Sequence, residues 1–252
     1  MIPKVIHYCW FGRNPLPPLA LKCIESWKKF FPDYEIKEWN EDNFDVNIVP
    51  YTQEAYKAKK YAFVSDYARF WILHKYGGLY FDTDVEAIKP MDDIIERGAF
   101  MGCENGVEED KPLYVAPGLG LGCEAGNKVY SDLLGIYARL HFVTSGRALN
   151  LKTIVQYTTE YLESYGLKKE DDIQCVCGIW IYPKDYFCPM DYETSECIYT
   201  DNTRTIHHYA ASWISAKVKY INILRACIGE GGLKFLVKIK HIICNDNVLE
   251  NS

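Results

Sequence analysis

The sequence predicts an α/β fold in one main domain, and three observations carry that expectation. The first 40 residues read strand, helix, strand, the opening of a nucleotide-binding layer. A second run from Tyr61 reads helix, glycine stop, apolar strand and then an acidic triplet. A chain of 252 residues, 48% of them hydrophobic, is also long enough to bury one sizeable core.

Taken in order, Val5 to Phe11 is a mostly apolar strand ending at Gly12, with Pro15, Pro17 and Pro18 marking the loop behind it. A helix is expected from about Leu19 to Phe30, ended by Pro32. Tyr34 to Glu38 alternates as a second strand, and 40–47 is polar loop. Trp10 stands at the carboxyl end of the first strand, where open α/β sheets bind ligands.

The stretch from Tyr61 to Pro90 organises the rest. Phe63, Tyr67, Phe70, Trp71 and His74 fall on one stripe of a 3.6-residue repeat, so a helix with that stripe buried is expected. Asp66 and Arg69 stand three residues apart on a neighbouring row, where their side chains meet and can grip one ligand. Gly77 and Gly78 stop the helix, which predicts a left-handed cap. Leu79, Tyr80 and Phe81 form a short buried strand that delivers Asp82-Thr83-Asp84 at its end. Two carboxylates so placed suit a hard divalent cation, which takes a few oxygen ligands together with substrate phosphates.

These residues carry a resemblance. Ser65-Asp66-Tyr67-Ala68-Arg69, followed by Tyr76-Gly77-Gly78-Leu79-Tyr80-Phe81-Asp82-Thr83-Asp84, resembles the sugar-binding DXD region of glycosyltransferase family 32. It is more distantly similar to the large clostridial glucosylating toxins. Ile2 to Gly12 resembles that family's opening strand, and His207-His208 with Ser212-Trp213 its closing motif. The resemblance implies a GT-A type, Rossmann-like nucleotide-sugar-binding fold with a mixed central sheet over residues 1–216. It implies a retaining hexosyltransferase that uses a nucleotide sugar, expected to be a UDP-sugar, with Mn²⁺ or Mg²⁺. In that reading Asp66, Arg69 and Asp82 are catalytic, and Trp10, Tyr80, Asp82, Ser212 and Trp213 bind the nucleotide. Asp82, Asp84, His207 and His208 are the candidate metal ligands. Thr205 to Tyr209 reads as a strand, so its two histidines face opposite ways and only one joins the aspartates easily, with His208 narrowly favoured.

Beyond Pro90 the expectations are a short helix over 91–97, a strand over 99–103, helices over 127–140 and 149–165, and a strand over 179–182. Gly118-Leu119-Gly120-Leu121-Gly122 lacks both the dinucleotide and the P-loop spacing, and reads as a tight strand or loop near the sugar. Cys175 and Cys177 lack the paired spacing of a structural zinc site. Ten cysteines, behind an amino terminus that enters a strand at once, read as free thiols of a cytoplasmic protein.

Two other functions fit parts of the pattern. Leu79 to Val85 also suits a haloacid-dehalogenase-type phosphatase with Asp82 as nucleophile, although that motif belongs on a first strand. An aromatic-rich chain with 20 tyrosines and 6 tryptophans also suits a non-catalytic carbohydrate-binding protein. The net charge of −6 argues against nucleic acid. Residues 217–252 form a basic tail: Lys217 to Cys244 holds six basic residues against one acidic, and Phe235, Leu236, Ile239, Ile242 and Ile243 make an apolar stripe. That tail predicts attachment to the anionic inner face of a membrane, where surface polysaccharide such as capsule is built on glycan or lipid-linked saccharide acceptors.

Overall fold

The computed structural model describes residues 1–144, 146, 148–191 and 196–210. The tail expected at 217–252, and Ser212 and Trp213, lie outside the described residues. Residues Met1–Ala210 make one compact unit. Its elements are β1 (Val5–Cys9), α1 (Pro18–Phe30), β2 (Glu35–Trp39), α2 (Pro50–Lys57), α3 (Tyr61–Tyr76), β3 (Gly78–Tyr80), β4 (Val85–Ala87) and α4 (Asp92–Arg97). They continue with β5 (Phe100–Gly102), β6 (Leu121–Cys123), α5 (Lys128–Tyr137), α6 (Ile154–Ser164), β7 (Gln174–Val176), β8 (Ile179–Tyr182), α7 (Lys184–Phe187) and β9 (Thr205–His207).

Seven strands form a mixed sheet in the order β2-β1-β3-β6-β5-β8-β7, and β4 pairs with β9 in a separate antiparallel ribbon. The α/β layering with a mixed central sheet is therefore as the sequence implies. β2, β1 and β3 are mutually parallel, while β6 runs against both β3 and β5. β1, β3 and β5 consequently point the same way and end at one edge.

The sheet is buried on both faces because side chains alternate along each strand. Ile6 and Tyr8 face α1 and pack with Trp27, Leu79 and Phe81; Cys9 faces the other layer, with Trp39, Phe70, Leu73 and Leu133. Trp27 is fully buried, and its indole N–H donates to the Val85 carbonyl at 2.8 Å, tying α1 to the segment that follows the acidic triplet. His7 lies at the middle of β1 and is buried. It accepts from the Trp39 indole at Nδ1 and meets the Gly77 carbonyl at Nε2, both at 3.0 Å. Burial pushes its pKa down to about 4, so the ring is neutral and Nε2 carries the proton.

Three expectations change. Helix α3 is buried nearly all round rather than along one stripe, because α2, α5 and the sheet enclose it: Val64, Ala68, Ile72 and Leu73 are inaccessible, while Trp71 and His74 are only half-buried. Gly77 does have positive φ, yet at φ 67° and ψ −165° it lies in the region open essentially to glycine alone rather than in the left-handed helical cap. Glycine is needed there because a Cβ would meet backbone atoms of Ala125 and Cys123 at 2.8 and 2.9 Å. The helix expected from 149 starts at Ile154, where Thr153 and Gln156 form a capping box.

Helix α2, strand β7 and helix α7 were not anticipated. α2 begins with Pro50 at its first turn but buries only Tyr51, Thr52 and Ala55, too few positions for a periodic signal. The eight described cysteines are free thiols.

Candidate active site

The acidic triplet leaves the carboxyl end of β3, and α3, lying against the sheet, supplies its partners. Arg69, itself buried, is shared by two carboxylates. Its NH2 lies 3.1 Å from Asp66 Oδ1 and 3.2 Å from Asp82 Oδ1, and its Nε donates to the Ser65 carbonyl. The guanidinium sits 5.0 Å from the centre of the Tyr80 ring, whose hydroxyl donates to Asp82 Oδ1 at 3.0 Å. Asp66, Arg69, Tyr80 and Asp82 thus form one connected group, within which the Asp66–Arg69 contact is the one their three-residue spacing predicts.

Electrostatics separates the carboxylates. Burial raises Asp66 to about 7 against the pull of Arg69, and raises Asp82 for the same leading reason. Asp84 is held below the ordinary range: burial would raise it, but His207 and the Ala210 amide outweigh that. His207 Nε2 lies 3.3 Å from Asp84 Oδ1, the Ala210 amide donates to Oδ2 at 2.9 Å, and the His208 amide donates to the Asp84 carbonyl. Burial would lower His207, yet its bond to Asp84 brings it up to about 10.

The two histidines face opposite ways, and the register decides which meets the triplet. Val85 pairs with His207 in the β4–β9 ribbon, so His207 stands beside Asp84. His208 turns instead to Glu86, at 2.8 Å, which Lys22 also bonds at 2.7 Å. The narrow preference for His208 is therefore not what the side-chain placement favours: its ring is engaged by Glu86, away from both aspartates.

Trp10 is half-buried at the end of β1, with its indole N–H donating to the Asn14 carbonyl at 2.6 Å. Glu41, two residues past the end of β2, accepts from the Gly12 amide at 2.6 Å and from the Tyr56 hydroxyl at 2.9 Å. The glycine-rich run reaches the site directly: the Gly118 carbonyl accepts from the Asp82 amide, and a Cβ on Gly118 would lie 2.1 Å from Asp82 Oδ2. Sequence reasoning missed Glu41, Glu86 and the Ala210 amide, which carry no spacing signal.

Among the described residues no three His, Cys, Asp or Glu side chains gather as a ready metal cluster. The donor set does suit a hard cation chemically. Asp82 and Asp84 supply carboxylate oxygens from one turn, closed by the Val85 amide on the Asp82 carbonyl, and the buried His207 Nδ1 has no hydrogen-bond partner among the described residues.

A family profile described as the glycosyltransferase sugar-binding region containing the DXD motif matches residues 17–101. The likeness to that family lies in residues 17–101. The match includes Asp66, Arg69, Tyr80, Asp82 and Asp84, and leaves out Trp10 and the closing histidines. Inositol phosphoceramide mannosyltransferase 3 of Schizosaccharomyces pombe is 31% identical over 104 residues, 40% of this chain and 29% of that protein. A glycosyltransferase of Acanthamoeba polyphaga mimivirus is 35% identical over 106 residues, 40% of this chain and 42% of its own. The matched DXD region therefore spans less than half the length of these curated relatives. Among solved structures, the PaToxG glycosyltransferase is 18% identical with a TM-score of 0.46, covering 65% of this chain and 69% of its own.

Proposed function

We propose that this chain is a metal-dependent glycosyltransferase that moves a hexose from a nucleotide sugar to a glycan or lipid-linked saccharide acceptor. The observation that carries the reading is the Arg69 guanidinium shared between Asp66 and Asp82, at the carboxyl edge of the sheet and inside the DXD region. A buried cation flanked by two carboxylates presents donors and acceptors in a fixed array, which suits the hydroxyls of a sugar. Asp66 and Arg69 hold the donor sugar, while Tyr80 keeps Asp82 oriented. Trp10 takes the nucleoside end at the mouth of β1.

Asp82 and Asp84, with His207 as third ligand, would hold Mn²⁺ or Mg²⁺. When bound, such an ion supplies the positive charge that stabilises a departing diphosphate. His207, held as an imidazolium by its bond to Asp84, must lose a ring proton before it can ligate, so metal binding should release protons. A UDP-sugar is the donor, transfer retains anomeric configuration, and the product belongs to surface polysaccharide such as capsule. These points rest on the family resemblance. Ser212 and Trp213 would bind the nucleotide, as the resemblance implies, and the basic tail would bring the enzyme to an anionic membrane.

A panel of nucleotide sugars incubated with the protein and Mn²⁺ tests this reading. Release of nucleoside diphosphate is expected, inorganic phosphate would indicate the phosphatase, and binding without release would indicate a lectin. The phosphatase is disfavoured by the placement of Asp82, whose carboxylate is engaged by Arg69 and Tyr80 rather than free to attack.

A further inference from the structure

One acidic side chain at the same sheet edge has no part in the arrangement so far. Glu104 stands two residues beyond β5, as Asp82 stands two beyond β3, and the two strands run in the same direction. Its backbone is fixed on both sides. The Glu104 amide donates to the Tyr114 carbonyl, Cys103 bridges to Val115, and the Cys103 amide donates to the Tyr182 carbonyl of the neighbouring strand. The segment that holds it continues to Gly118, whose carbonyl takes the Asp82 amide. One short piece of chain thus braces Glu104 at one end and Asp82 at the other. The four residues from Tyr114 to Gly118 span at most about 14 Å, so the two anchor points lie within that distance of each other.

The Glu104 carboxylate is half-buried, and no side-chain or backbone donor among the described residues bonds it. The cations acting on it are His207 and then Lys184, so it faces the same space as the histidine beside Asp84. A rigidly mounted acid without a partner would be a needless desolvation cost in a purely structural role. Nor does it pair with Lys184 as a surface ion pair would.

We propose that Glu104 is the second carboxylate wall of the site and accepts a hydrogen bond from a saccharide hydroxyl. This rests on the transferase reading above. Donor and acceptor both offer such a hydroxyl, and the test separates them. Full-length wild type, Glu104→Gln and Glu104→Ala are compared with UDP- and GDP-hexoses and Mn²⁺. The assays are nucleotide binding by calorimetry, donor hydrolysis without acceptor, and transfer to a saccharide panel, with thermal melts to check folding.

Both variants should bind nucleoside diphosphate within twofold of wild type and lose at least 100-fold in transfer. Hydrolysis falling in parallel assigns the hydroxyl to the donor sugar. Hydrolysis preserved while transfer is lost assigns it to the acceptor. Transfer within threefold of wild type in both variants overturns the inference alone. A wild type that neither binds nucleotide nor cleaves any nucleotide sugar overturns the transferase reading itself.

Discussion

Asp66 is a buried carboxylate and Asp84 a half-buried one, and their partners give them different duties. Among the described residues Asp84 bonds groups at the end of the β4–β9 ribbon, so Asp84→Ala should abolish metal-dependent nucleotide binding while the protein still folds, with a lower melting temperature because His207 loses its partner. Retained turnover with the same metal dependence would refute its role as a ligand. Asp66→Asn or Arg69→Lys should instead cut turnover with metal-dependent nucleotide binding intact, since each keeps volume but loses a charge or the bidentate fork. Gly118→Ala is a sharper probe. The added methyl must displace the Asp82 carboxylate, and a shift of about 1 Å at a catalytic group costs on the order of 100-fold in rate. Turnover should fall by that order while the fold survives; an unaffected rate would mean Asp82 needs no fixed position. At this scale the sequence revealed the residues on regular elements, because α3 and β3 have fixed periods. It did not reveal Glu41, Glu104 or the choice between His207 and His208, which depend on loop paths and on the register of a ribbon whose strands are over 100 residues apart.

At the scale of elements, strand β1 makes a pH-dependent contribution to stability through His7. His7 is neutral when folded, with a pKa lowered to about 4, against 6.5 when exposed. Its contribution is complete above 6.5 and is lost as pH falls toward 4, because only the unfolded chain takes up the proton in that window. Between pH 7.5 and 5 the loss should be about 2 kcal/mol. Urea unfolding of wild type and His7→Gln at both values isolates it, since the variant should lose less stability by that amount. An equal loss in both proteins would mean that the ring is not held neutral by burial. Strands β1 and β3 and helices α1, α3 and α4 were legible because their apolar periods and proline or glycine punctuation agree. Elements α2, β7 and α7 were not, being short and stabilised by the layers they meet rather than by their own pattern.

At the scale of the whole molecule, the α/β order was legible from the first 90 residues, whereas the antiparallel insertion of β6 between β3 and β5 was not: a three-residue strand of Leu121-Gly122-Cys123 declares neither direction nor neighbour. No helix among the described residues is long and apolar enough to cross a membrane. Any attachment through the basic tail must therefore be tested directly. Full-length protein should pellet with anionic but not neutral vesicles at low salt, each basic residue near the surface adding about 1 kcal/mol, and a version ending at Ala216 should stay in solution. Equal behaviour of the two would refute a membrane role for the tail.

The β4–β9 ribbon has a consequence for how the protein is made. It joins residues 85–87 to residues 205–207, so Asp84 acquires His207 and the Ala210 amide only after more than 120 further residues have been added. The parallel pairing of β1, β2 and β3 is within reach of the nascent chain long before that. A ribosome-bound chain can therefore assemble the scaffold and the Asp66–Arg69–Asp82 group early. The surroundings of Asp84 are finished last, when the entire described unit has emerged, and until then its carboxylate faces water rather than an imidazole.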